Sequence, residues 1–357
     1  MANGSQNIFF DNEEYLMMVN ESIGIYIDND ENLMTANGST NISIDNYEYW
    51  SYATNFEFPE PYKTIRNCVN WAIIGLVLLS LFGNIMIIAV MLRKQNRKSS
   101  TSTFFIALAV SDMSLALSVS FERWLHWINN ISLYGIHSYI TTTKTILTYS
   151  NIQFSSWMLV CITVERVLSI AMPFKIKEIC TKARAGVIIF IVCAVILCLN
   201  TIEFTVIVGV RFNEDIGIIW IKKVDDGDKI IAWMDFVNSF FIPIIFIVIG
   251  SVYIIVNLLR VNVNKQVTNK NRNRSVTMTL LGANIVFVLT MSPFVLFHLI
   301  VPSTEGMNIS IYLFWTMAEI FMFLSDMNCA LNFFVYVLSG AKFRSDVMLL
   351  LGLKESN

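Results

Sequence analysis

The chain has 357 residues, 55% of them hydrophobic and only 15% charged, with a net charge of −2. Soluble globular domains carry about a quarter charged residues, so this composition excludes an ordinary soluble enzyme and favours a membrane protein. The average conceals a division: residues 1–62 hold eleven acidic side chains and no Lys or Arg, whereas the basic residues fall in short clusters between apolar runs.

In chain order, residues 1–62 read as a polar, Asn-rich tail, too charged and turn-rich to fold alone. They lack the basic start and continuous apolar run of a cleavable signal. A helix needs about 20 mostly apolar residues to cross the hydrocarbon core. Seven runs qualify, at 67–92, 104–123, 141–165, 185–208, 233–259, 276–301 and 311–338. They predict an all-α membrane protein, a seven-helix transmembrane domain over residues 63–338. In the remaining 339–357, Phe343, Val347, Leu350 and Leu351 predict a short amphipathic eighth helix lying on the lipid surface.

The loops orient the bundle. Arg93, Lys94, Arg97 and Lys98 follow span one, Lys175, Lys177, Lys182 and Arg184 follow span three, and Arg260, Lys265, Lys270, Arg272 and Arg274 follow span five. The positive-inside rule makes these loops cytoplasmic, so the N-terminus is expected outside and the C-terminus inside, at the plasma membrane. Glycosylation sequons at Asn3, Asn20, Asn37, Asn41, Asn130 and Asn308 all fall on the outer side. One chance match, at Asn273, falls inside.

Between spans four and five, 211–229 alternates apolar and polar residues around a turn-like D-D-G-D, which predicts a hairpin. None of the six cysteines lies in the outer loops, and only Cys68 is near the oxidising side.

Ionisable groups inside spans are costly, and by default they mark function or a wet interior. Asp112 lies mid-span two, Asn84 mid-span one, and span seven carries Asn328, Asn332 and Tyr336. Pro243 and Pro293 interrupt spans five and six, each removing a backbone hydrogen bond and predicting a kink. Span three keeps charge out from Thr145 to Val164, then ends in Glu165-Arg166.

Gly83-Asn84, the L-A-V-S-D run ending at Asp112, Glu165-Arg166-Val167, the prolines in spans five and six, and the N-x-x-x-Y of Asn332 and Tyr336 resemble the rhodopsin-like (class A) G-protein-coupled receptors. The resemblance covers roughly residues 65–345. It implies a receptor activating a heterotrimeric G protein, with Glu165 holding Arg166 at rest and span six swinging outward on activation. It also implies a small polar cavity of Asp112, Ser155, Asn328 and Asn332 able to hold a sodium ion, and a rearranging Tyr336. No cofactor is required by this reading, and no nucleic acid is a partner; the partners are a ligand, a G protein and membrane lipids.

The chain departs from the pattern at several places. Phe333 stands for the family's proline, Met291 and Cys193 for tryptophans, and Ser251 for a tyrosine. Thr141 replaces the cysteine of the family's usual bridge. Thr148 stands where amine receptors carry an acid, and Asp326 where opsins carry a lysine, so neither subclass fits.

At the outer ends sit Glu122, Arg123, Lys144, Glu203, Asp235, His298, Glu319 and Asp326, a charged vestibule suited to a peptide. Glu122 lies ten residues beyond Asp112, about 15 Å outward on a helix. Glu122 and Asp326 are expected to border one vestibule and to receive a ligand's basic group, with Arg123 as the alternative, internal partner. A guanidinium suits carboxylates best because it binds in a fork. The ligand-binding set is therefore Glu122, Arg123, Thr148, Asp235, His298 and Asp326, and the expected ligand is a neuropeptide bearing an Arg.

An enzyme is not indicated: His126, His137 and His298 show no metal-ligand spacing, and no phosphate loop or nucleophile motif occurs. A transporter would show related halves, which are not seen. A receptor-like protein with lost signalling is a further reading, motivated by Met291 and Phe333.

Overall fold

The computed structural model describes residues 25–27, 33–35, 59–129, 138–207, 210–213, 218–221, 233–263, 270–300 and 311–353. Seven helices are long and apolar enough to cross a membrane: Glu60–Leu92, Ser100–Asn129, Thr142–Ala171, Lys182–Thr205, Trp233–Asn257, Met278–Phe297 and Tyr312–Ser339. These are spans one to seven. The order matches the hydropathy reading, but most helices run further at one or both ends. Span one starts at Glu60, with a proline in its first turn, because Pro fits a helix start, where its missing N–H costs nothing. The helix thus begins three residues before the expected start of the transmembrane domain at 63.

The bundle turns apolar residues outward and polar ones inward. Phe190, Ile249, Leu289 and Leu78 are each more than 60% exposed, while Asn84, Asp112, Ser155 and Asn332 are buried. This inversion is what a lipid solvent selects, since lipid offers no partner for polar groups. Span six packs on span seven, span seven on span one, and span three on spans two, four and five.

The prolines behave differently from one another. Before Pro243 the chain winds as π-helix over Phe236–Phe241, a wide turn that accommodates a proline's missing donor. Through Pro293 the helix Lys270–Ile300 continues unbroken. Two further π segments, Ala116–Phe121 in span two and Glu203–Ile207 ending span four, contain no proline and had no signal in the sequence.

Two short hairpins accompany the bundle. Strand β1 (Ile25–Ile27) pairs antiparallel with β2 (Leu33–Thr35), and β3 (Val210–Asn213) with β4 (Ile218–Ile221). The second matches the expected hairpin, but its paired strands end at Ile221, before the D-D-G-D. The D-D-G-D at 225–228 therefore does not make its turn and, like all six outer sequons, lies outside the described residues.

The terminal helix spans Ala341–Leu350 and buries Phe343 and Val347. Its anchoring is more polar than the amphipathic pattern suggested. Asp346 is 5% exposed and forms an ion pair with Arg93. Asn96 Nδ2 donates to Asp346 Oδ2 at 3.0 Å, and Lys342 Nζ donates to Asn96 Oδ1 at 2.5 Å.

Gly83 sets how closely span one packs on span seven at Phe333. A Cβ there would lie 2.7 Å from the Cβ of Phe333, so the glycine lets spans one and seven approach closely at this level. Gly83→Ala is expected to destabilise by about 1–3 kcal/mol through overpacking, read as a lower thermal midpoint of the purified protein. Adding Phe333→Gly, which removes the Cβ that clashes, should cost less than the sum of the single changes, whereas Phe333→Ala keeps that atom and should not compensate.

Candidate functional site

The polar interior forms three groups. At the end where the chain leaves span three, Glu165 is 6% exposed. Its Oε1 accepts hydrogen bonds from Ser100 Oγ and, at 3.0 Å, from Thr101 Oγ1. Arg166 also donates to the Thr101 hydroxyl and lies 3.5 Å from Glu165 Oε2. The charge pair thus closes onto the first turn of span two, with Thr101 bridging both partners. Arg166 Nε and Glu165 Oε2 have no hydrogen-bond partner, so the guanidinium keeps donor capacity in reserve.

Mid-bundle, Asp112 is fully buried. Ser155 Oγ donates to its Oδ1 at 3.0 Å and Asn332 Nδ2 to its Oδ2 at 2.8 Å. Asn84 instead donates to the carbonyls of Ser80 and Cys329, both at 2.9 Å. Beside this group lies a cavity of about 50 Å³, lined in part by Ser155, Asn328, Met291, Ser325 and Asp326. Ser325 Oγ donates to Met291 Sδ at 3.3 Å. Asn328 Oδ1, Asn332 Oδ1 and the Tyr336 hydroxyl are buried without a partner. Buried oxygens left over beside a carboxylate suit a hard cation, so the sodium-ligand set implied by the resemblance fits these residues. The Tyr336 ring packs edge-on against Phe105 and Phe343, with centroids 5.0 and 5.7 Å away.

Sequence reasoning missed Asn284. From span six its Nδ2 donates to Ser251 Oγ at 3.0 Å and to Thr163 Oγ1 at 3.4 Å, tying span six to spans five and three where the family's tyrosine is absent. A buried-span asparagine was the available signal.

At the opposite end, the free-carboxylate expectation is corrected. Asp326 is ion-paired with Arg123, and Glu122 with Lys144. Glu319, another of the vestibule charges, accepts from Arg66 Nε at 2.7 Å. Acids packed together in a partly dry bundle recruit cations from within it, and each of these three has one. Thr148 is half-buried in span three, and the His298 side chain lies outside the described residues.

Asp235 belongs to a separate group between spans three, four and five. It accepts from Ser239 Oγ and, at 3.5 Å, from Gln153 Nε2. Gln153 and Asn200 also bond each other, with Asn200 Nδ2 donating to Gln153 Oε1 at 2.9 Å.

All six cysteines are free. A mild, membrane-impermeant reductant is expected to leave the thermal midpoint unchanged; a fall would show Cys68 paired with another chain.

A family model described as 7 transmembrane receptor (rhodopsin family) matches residues 83–336. The chain is 27% identical to the C-X-C chemokine receptor type 5 of Rattus norvegicus over 311 residues, 81% of this chain and 77% of that one. Against its counterpart in Homo sapiens the identity is 27% over 300 residues, 77% and 74% of the two chains. The thyrotropin-releasing hormone receptor of Gallus gallus is 30% identical over 114 residues, 32% of this chain and 28% of that one.

Proposed function

Since the chain belongs to the rhodopsin family of seven-transmembrane receptors, we propose that it binds a peptide at the Arg123–Asp326 end and activates a heterotrimeric G protein at the Arg166 end. It is a multi-pass membrane receptor and not an enzyme, and membership of a receptor family sets the transporter reading aside. The relatives are named for a chemokine and for thyrotropin-releasing hormone, which supports a peptide ligand. The basic inner loops support placing the Arg166 end in the cytoplasm and the N-terminus outside.

The observation that carries this reading is the closure of Glu165 and Arg166 onto Ser100 and Thr101. A guanidinium held by a neighbouring carboxylate and one bridging hydroxyl can be released at modest cost. A partner that binds only the released form shifts the population toward it. Asn284 holds span six to spans three and five in the same resting arrangement, so outward movement of span six breaks the bonds to Ser251 and Thr163.

Asp112, Ser155, Asn328 and Asn332 would hold a sodium ion, which supplies a positive charge beside the buried carboxylate. The chain's own contribution there is to orient Asp112 through Ser155 and Asn332 and to keep the surroundings dry. The ligand reading is a neuropeptide with a basic residue. Because Glu122 and Asp326 are already neutralised, that residue is not expected to be received by them.

The test is a screen of amidated peptides on cells expressing the chain, read as G-protein nucleotide exchange. Exchange driven by a peptide is the expected result. Good surface expression with no exchange, basal or driven, would favour the receptor-like protein that has lost signalling, the reading suggested by Met291 and Phe333.

A further inference from the structure

Apart from Glu60 at the exposed start of span one, five carboxylates among the described residues stand toward the Arg123 end of the spans, and they divide by partner. Glu122, Glu319 and Asp326 are each ion-paired within the chain, with Lys144, Arg66 and Arg123. Glu203 and Asp235 have no cationic partner among the described residues. Glu203 is only 1% exposed, and its Oε1 has no hydrogen-bond partner. Asn200, one helical turn before Glu203, bonds Gln153, which in turn donates to Asp235, so the two carboxylates belong to one polar group. A buried carboxylate with an unused oxygen, facing a second carboxylate, is costly unless a cation joins them.

The surroundings are built around this pair. Ser239 and Gln153 hold Asp235 from one side, and Gln153 is itself fixed by Asn200. Both acids sit at the margin of a π-helical segment: Glu203 opens Glu203–Ile207, and Asp235 immediately precedes Phe236–Phe241. Wide turns of this kind re-aim side chains and recur at functional sites. Next to Glu203, Phe204 packs against Tyr149 with ring centroids 4.9 Å apart, an aromatic surface of the sort that accepts a planar cation. Asp235 is less buried than Glu203, intermediate rather than fully enclosed.

We propose that Glu203 and Asp235, framed by Gln153, Asn200 and Ser239, form a subsite for one guanidinium group of the ligand, between spans three, four and five. The inference rests on the peptide-receptor reading and relocates the basic residue of the ligand away from Glu122 and Asp326. The guanidinium offers donors to both carboxylates at once, which neither an ammonium nor a neutral amide does as well. Its charge offsets the repulsion that the chain leaves uncompensated.

The test is thermal unfolding of the detergent-purified protein with N-acetyl-arginine amide or N-acetyl-citrulline amide at millimolar concentration. The two probes differ only in the charge and donors of the side-chain head group. The arginine probe is expected to raise the midpoint by about 2 °C or more through mass action, and the citrulline probe to leave it in place. Glu203→Gln and Asp235→Asn should each abolish that difference, whereas Asp326→Asn should keep it. If one of the two substitutions prevents folding, the other decides. No shift with the arginine probe, equal shifts with both probes, or a difference that survives in Glu203→Gln or Asp235→Asn would overturn the subsite. Because unfolding is read without a G protein, failure here is distinct from failure of the receptor reading, whose sign is a lack of nucleotide exchange with any peptide.

Discussion

Arg166→Ala is expected to reduce peptide-driven G-protein activation to background, at least tenfold, or about 1.4 kcal/mol of lost coupling, while surface expression is preserved. The guanidinium is held by the Thr101 hydroxyl and a 3.5 Å approach to Glu165, without the direct hydrogen bond that joins Arg123 to Asp326. Its removal therefore costs the resting bundle less than loss of Arg123 does. Glu165 loses its neighbouring cation but keeps the bonds from Ser100 and Thr101 to its Oε1. What is lost is the cationic group available to a G protein in the released state. Glu165→Gln is the complementary change. Its amide oxygen still accepts from Ser100 and Thr101, but the charge that restrains Arg166 is gone. If that restraint is worth about 1 kcal/mol, basal activity should rise about fivefold, because the substitution destabilises only the resting state. Cells expressing each variant at matched surface density, assayed for second messenger with and without peptide, measure both effects.

The largest stability effect is expected at Arg123. Its partner Asp326 is 13% exposed at the side chain, so Arg123→Ala leaves a nearly buried carboxylate without its cation. Breaking a buried pair from one side costs about 3–5 kcal/mol, whereas replacing both partners by apolar residues is often close to neutral. Arg123→Ala should therefore lower the thermal midpoint well beyond Gly83→Ala, and Arg123→Met combined with Asp326→Leu should recover most of the loss. A midpoint unchanged in the single variant would mean that the pair is solvated and open to the ligand. The prediction reverses the sequence-based expectation, in which Asp326 waits for a ligand's guanidinium.

That reversal shows where sequence reasoning stopped. Spans, polar interior and the Glu165-Arg166 pair were legible because each is a local or periodic signal: hydropathy over some twenty residues, or a charge where lipid forbids one. Pairing was not legible. Arg123 to Asp326 and Arg66 to Glu319 join spans two to seven and one to seven across more than 200 residues, and hydropathy says nothing of how helices rotate toward one another. The same blindness hid Asp346 beneath an amphipathic pattern read from Phe343, Val347, Leu350 and Leu351, of which only the first two are buried. Asn84 was rightly placed mid-bundle, yet its donors go to Ser80 and Cys329 carbonyls, a choice set by packing distance. The π segment before Pro243 follows physically from the proline. Those at Ala116–Phe121 and Glu203–Ile207 have no residue that announces them.

The central claim is that Glu165 restrains Arg166 and that release of Arg166 engages a G protein. Its most direct test is nucleotide exchange on a purified heterotrimeric G protein by the receptor reconstituted in lipid nanodiscs, without ligand, comparing the wild type with Glu165→Gln and with the double variant Glu165→Gln/Arg166→Ala. The account predicts faster basal exchange for Glu165→Gln, about fivefold, and a return to background in the double variant. Exchange unchanged by Glu165→Gln, or a raised rate that persists without Arg166, would contradict it.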